Sequence, residues 1–117
     1  MRGRILIVED DPLVAMMLEG YLDALGFDVA GCVETVADAI FRITSGSIDA
    51  AILDVHLANG ETSEPVAVAL NAVQIPYIVT TGGFDNEVEA AYEDAPILRK
   101  PFSMTSLSQT LDKISRD

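Results

Sequence analysis

Glu9-Asp10-Asp11, Asp54, Thr80-Thr81-Gly82 and Arg99-Lys100-Pro101 each stand directly after a strand-length apolar run. These are the places where the chain could do chemistry. Carboxylates gathered at one point repel and raise one another's pKa unless a cation or a basic side chain offsets them. Mg²⁺ takes an octahedron of hard oxygens that usually includes waters and substrate phosphate. Glu9, Asp10, Asp54 and a backbone carbonyl just after Asp54 suit that ion, and Lys100 supplies a compensating ammonium. An acidic run before a helix is on its own a common cap and dipole partner. Its combination with Asp54, a threonine and a Lys-Pro pair at three further strand ends is hard to explain by capping.

The elements that must position these groups follow from apolar periodicity. Arg4 to Val8 reads as a first buried strand. Asp11 then caps a helix with Pro12 at its first position and a stripe of Val14, Met17, Leu18, Tyr21 and Leu25. A second strand covers Asp28 to Val33, and Thr35 caps a helix with Val36, Ile40 and Ile43 facing inward. The third strand is Ala50 to Leu53. Ser63 and Pro65 open a helix that buries Val66, Leu70 and Val73, and Tyr77 to Thr80 is the fourth strand. Asp85 to Asp94 is a weak acidic helix, Ile97 to Arg99 a fifth strand, and Ser103 caps a last helix with Met104, Leu107, Leu111 and Ile114 on one side.

Strands alternating with helices predict an α/β fold with a parallel sheet covered on both faces. Ligand sites in such sheets lie beyond the carboxyl ends of the strands, beside the point where strand order reverses. Only the second strand ends without a functional side chain, so the expected order is 2-1-3-4-5, with that strand at an edge.

A chain of 117 residues, half of them hydrophobic, is long enough for one domain with a real core. One domain over residues 1–117 is therefore expected. Nineteen acidic against seven basic residues give a formal charge of −12, which repels nucleic acid and anionic membrane surfaces. No apolar run reaches membrane-spanning length and no cleavable signal precedes the first strand, so a cytoplasmic location is expected. Cys32, the only cysteine, lies in an apolar run where a small buried packing residue is expected.

The runs Ile-Leu-Ile-Val-Glu-Asp-Asp-Pro, Ile-Leu-Asp-Val-His-Leu, Thr-Thr-Gly and Arg-Lys-Pro-Phe resemble the signature of bacterial response-regulator receiver domains, and the resemblance spans the chain from Arg4 to the last helix. It implies a flavodoxin-like, doubly wound (βα)5 fold. It assigns Glu9 and Asp10 to Mg²⁺, Asp54 to metal binding and phosphoryl acceptance, the His56 backbone carbonyl to the metal, Thr81 rather than Thr80 to the phosphoryl group, and Lys100 to phosphate pairing. A cis Lys100–Pro101 bond is also implied. The implied partners are a histidine kinase or phosphotransfer protein and a downstream protein target.

Two positions depart from that pattern. Ile97 stands where an aromatic ring often reports phosphorylation, and Leu57-Ala58-Asn59-Gly60-Glu61 lacks a frequent proline. Pro76 to Gly82 resembles the fourth strand of an alphaproteobacterial subgroup with a Pro-Phe-x-Phe-Ala-Thr-Gly pattern, often stand-alone receivers working with HWE-type histidine kinases. A receiver cut from a hybrid kinase or longer regulator, a docking domain without phosphorylation and an aspartate-nucleophile phosphatase are the alternatives. The phosphatase wants a second acid two residues after its nucleophile, where this chain has His56.

Overall fold

The computed structural model describes residues 3–82, 92 and 95–114. Strands β1 (Arg4–Val8), β2 (Asp28–Val33), β3 (Ala50–Asp54), β4 (Tyr77–Thr81) and β5 (Ile97–Arg99) form one sheet in the order β2-β1-β3-β4-β5. Every neighbouring pair is parallel, as expected from the strand ends. Helices α1 (Pro12–Ala24), α2 (Val36–Ser45), α3 (Glu64–Ala72) and α4 (Met104–Asp112) cover it.

Side chains alternate across a strand, and here both faces are apolar. Leu6, Val8, Leu53 and Val79 pack with Ala39 and Ile43 of α2 and Val66, Ala67 and Leu70 of α3. Ile5, Ile7, Ile52, Ile78 and Leu98 pack with Leu18 and Leu22 of α1 and Leu107 and Leu111 of α4. The strands therefore read as continuous hydrophobic runs, the mark of a sheet buried on both sides.

The caps form largely where the residue types indicate. Asp11 accepts a hydrogen bond from the Leu13 N–H, Thr35 from the Asp38 N–H, and Ser103 and Ser106 make a reciprocal capping box. The stripes differ in detail. Helix α1 centres on Ala15, Leu18 and Leu22, with Val14, Met17, Tyr21 and Leu25 on the flanks. Val73 is 54% exposed, because α3 ends at Ala72 and Val73 has left helical geometry. Met104, the first residue of α4, is also exposed.

Cys32 is exposed and does not serve as a packing residue. The register between β1 and β2 slips at Ala30, pairing Ile5 with Val29 but Leu6 with Gly31. This bulge reverses which residues face inward, and it turns Cys32 to the α1 side at the open rim of the sheet. Burial, with the Glu19 carboxylate and its hydrogen bond added, pushes the thiol up to about 11, so it stays protonated at neutral pH. The Ala30 carbonyl accepts a hydrogen bond from the Arg42 guanidinium.

The helix expected over Asp85 to Asp94 lies outside the described residues, apart from Tyr92. The Lys100–Pro101 bond is cis.

The revised stripes give a measurable contrast. Leu22→Ala empties a fully buried position and should cost about 2–4 kcal/mol in urea denaturation, whereas Val73→Ala should stay within about 0.5 kcal/mol.

Candidate functional site

The residues that follow Ile7, Ile52, Ile78 and Leu98 by two positions are Glu9, Asp54, Thr80 and Lys100. By strand alternation all four continue the face covered by α1 and α4. Register aligns them further: Val8 pairs with Leu53, Asp54 with Thr80, and Thr80 with Leu98. Two carboxylates and a hydroxyl thus fall in one row at the carboxyl edge, with Lys100 beyond the end of β5.

Lys100 Nζ lies 3.1 Å from Glu9 Oε1 and 3.1 Å from Asp54 Oδ1. The lysine is tethered by its own N–H, which donates to the Thr81 carbonyl at 2.8 Å. Glu9 Oε2 accepts the Asp11 N–H at 3.0 Å. Glu9 is 2% exposed and Asp54 8%. Burial pushes the Glu9 carboxyl up to about 7; the Asp11 N–H and Lys100 oppose this, and the Asp54 charge adds to it. Burial would lower the Lys100 ammonium, but the Asp54 and Glu9 charges and their hydrogen bonds carry it above the ordinary lysine value.

Glu9, Asp10 and Asp54 each offer a carboxylate oxygen, and these atoms lie within 4.8 Å of one another. An all-oxygen acidic donor set with a half-buried rim is the chemistry Mg²⁺ selects. The Glu9 carboxyl, pushed up by burial, is a group that a bound dication would relieve. A groove of about 280 Å³ opens beside Glu9 and Asp10, lined also by Pro12, Met16, Glu19 and Cys32.

Thr81 is 7% exposed at the end of β4. The His56 side chain is exposed, and its backbone bridges to Thr62. It therefore points away from any role as an acid beside Asp54. Asp11 caps α1, outside the acidic group.

Three features of the connection after Asp54 were not visible in the residue pattern. Asn59 and Gly60 adopt left-handed geometry (φ 64° and 75°) in a short 3-10 turn. The Glu61 carboxylate accepts the Val36 N–H at 2.9 Å, tying the connection to the start of α2. Ser63 opens α3 without capping it; its hydroxyl pairs with the Tyr92 hydroxyl at 2.8 Å, both groups buried. Serine before a helix signals a cap, and only the tertiary contact diverts it.

Glu9 makes stability depend on pH. Between the ordinary value of 4.5 and about 7, the folded chain keeps a proton that the unfolded chain has released, so stability falls as pH rises through this window. Urea titrations without Mg²⁺ should show a loss on the order of 2–3 kcal/mol across it. Glu9→Gln should flatten that slope.

No protein-family model matches the chain. The solution structure of SdrG from Sphingomonas melonis Fr1 is similar at 50% identity and a TM-score of 0.85, over 95% of this chain and 94% of that one. The signal receiver domain of a modulated diguanylate cyclase from Desulfovibrio desulfuricans G20 is 26% identical with a TM-score of 0.87, over 97% and 93% of the two chains. Among curated proteins, the phyllosphere-induced regulator PhyR of Methylorubrum extorquens is 30% identical over 116 residues, 97% of this chain and 43% of PhyR. The chain spans about half the length, or less, of the curated relatives it matches. With a half-length match to regulators, a near full-length match to SdrG and the acidic, lysine-bridged edge of a 2-1-3-4-5 sheet, the chain belongs to the response-regulator receiver domains of two-component signalling.

Proposed function

We propose that Asp54 is the phosphoacceptor of this receiver, taking a phosphoryl group from a histidine kinase or phosphotransfer protein in a Mg²⁺-dependent step. The observation that carries this is the Lys100 ammonium bridging Glu9 and Asp54 at 3.1 Å each. That arrangement sets the Asp54 carboxylate beside a cation that can meet incoming phosphate oxygens.

An Asp54 carboxylate oxygen forms a bond to phosphorus, in line with the bond that breaks to the donor nitrogen or oxygen, which leaves with the electron pair. Lys100 exchanges its carboxylate contacts for phosphoryl oxygens, and the Thr81 hydroxyl donates to another of them. Glu9, Asp10, Asp54 and the His56 backbone carbonyl would hold Mg²⁺, which when bound offsets charge on the transferring group. Later attack by water on phosphorus returns Asp54 and releases phosphate. The protein is a phosphorylation-dependent switch. In this reading it acts in the cytoplasm as a stand-alone regulator or phosphate shuttle and passes its state to a protein target by contact. Among the described residues, no helix is long and apolar enough to cross a membrane.

Incubation with acetyl phosphate and Mg²⁺ should add one phosphoryl group by intact mass. Asp54→Asn and a chelated sample should add none, and Lys100→Ala should slow uptake about a hundredfold. Uptake by Asp54→Asn at the unchanged rate would sink the assignment.

A further inference from the structure

The site reading above, on which this inference rests, gives Mg²⁺ one ligand that is not a side chain: the His56 backbone carbonyl. His56 is bridged to Thr62 in antiparallel fashion, and the bonds that make the bridge lie on either side of the pair. The Val55 carbonyl accepts the Ser63 N–H at 2.9 Å, and the Leu57 N–H donates to the Glu61 carbonyl at 2.8 Å. A pair flanked in this way turns its own N–H and C=O groups outward. The His56 carbonyl therefore takes no part in the bridge and faces away from Thr62.

Mg²⁺ demands near-ideal octahedral geometry, so a backbone ligand serves it only where the backbone is held still. The turn that follows His56 has little hold of its own. Asn59 and Gly60 are exposed and left-handed, and the Glu61 N–H reaches the Ala58 carbonyl only at 3.3 Å. Two bonds to the corner between β2 and α2 supply the hold. The Ala58 N–H donates to the Glu34 carbonyl at 3.3 Å, and the Glu61 carboxylate accepts the Val36 N–H at 2.9 Å. They leave from opposite ends of the turn and grip the chain on either side of Thr35, which itself caps α2. A carboxylate on the first N–H of a helix is charge-assisted and meets the positive end of the dipole. It is the stronger of the two.

We propose that Glu61 is a positioning residue for the metal: bonded to the start of α2, it fixes the turn so that His56 presents its carbonyl to Mg²⁺ in one orientation. Its carboxylate is committed to Val36 and acts through the backbone it anchors, not by touching the ion or the phosphoryl group.

Two substitutions break the same bond from opposite sides. Glu61→Ala removes the acceptor. Val36→Pro removes the donor at the first helical position, where the fixed φ of proline suits the helix. Thr35 before it is already extended (φ −128°, ψ 159°), as a residue preceding proline prefers. Glu61→Gln keeps an oxygen at the same reach without the charge. Mg²⁺ alone is the probe, titrated by calorimetry; with acetyl phosphate added, the second readout is the Mg²⁺ concentration that gives half the maximal rate of phosphoryl uptake. Glu61→Ala and Val36→Pro should each weaken Mg²⁺ binding roughly tenfold, the low end for partners beyond a metal's own ligands, with the rate at saturating Mg²⁺ nearly unchanged. The double substitution should weaken it no further, because both changes remove one bond. Glu61→Gln should stay within about twofold of the unchanged chain. A loss in Glu61→Gln as large as in Glu61→Ala would mean action by charge and overturn the positioning role, as would full Mg²⁺ affinity in Val36→Pro. Either result leaves the phosphoacceptor reading intact. Mg²⁺ binding that Asp54→Asn does not weaken would overturn both.

Discussion

The site depends on one ammonium shared by two carboxylates. Glu9 and Asp54 come from adjacent strands and lie side by side at the carboxyl edge, where burial strips away the water that would screen them. Without a cation between them, the edge would carry two like charges in a medium of low effective dielectric. Lys100 answers from two strands away. Its reach depends on β5, a strand of only three residues, and on one further ladder bond from the Lys100 N–H to the Thr81 carbonyl. The sheet order serves this charge balance, because the 2-1-3-4-5 arrangement sets the ends of β1, β3, β4 and β5 in a continuous line, with β2 outside it.

The connection that leaves Asp54 is bound to its surroundings at both ends. The Val55 N–H donates to the Thr80 carbonyl at 3.2 Å, and the Val55 carbonyl accepts the Ser63 N–H at 2.9 Å. Between them Glu61 holds the first turn of α2, and at the end Ser63 meets Tyr92. These bonds tie the connection after Asp54 to α2 on one side and to Tyr92 on the other. Ile97 packs against the same apolar cluster that contains Tyr92, whose hydroxyl is already engaged by Ser63.

The strands, their order and the meeting of Glu9, Asp54 and Lys100 at one edge were legible because short apolar runs and the polar residues that end them are local signals. Strands β3, β4 and β5 begin on Ala50, Tyr77 and Ile97, directly after Asp49, Pro76 and Pro96. Details that depend on tertiary contacts were not legible. Leu22 was missed because the periodic reading ran along the flank of α1 rather than its centre, and Val73 was misplaced because α3 stops one residue short. Cys32 looked buried until the slip at Ala30 reversed its face. Ser63 does stand at the start of α3, but nothing in the local run announces that its hydroxyl goes to Tyr92. Thr80 and Thr81 are adjacent and chemically alike, and resemblance alone separates them; register distinguishes them by placing Thr80 beside Asp54.

The same slip at Ala30 bears on how the sheet ends. An outer strand with free amides and carbonyls invites pairing with another chain. Strand β2 is the outer strand on one side, and at its middle the bulge interrupts the regular spacing while the Arg42 guanidinium occupies the Ala30 carbonyl. Gly31 makes room for that guanidinium, since a Cβ there would collide with it. On the opposite side β5 is too short to template a partner. Both rims of the sheet are thus poor seeds for strand addition, and on the β2 side an arginine and a glycine remote from the acidic edge guard against edge-to-edge aggregation.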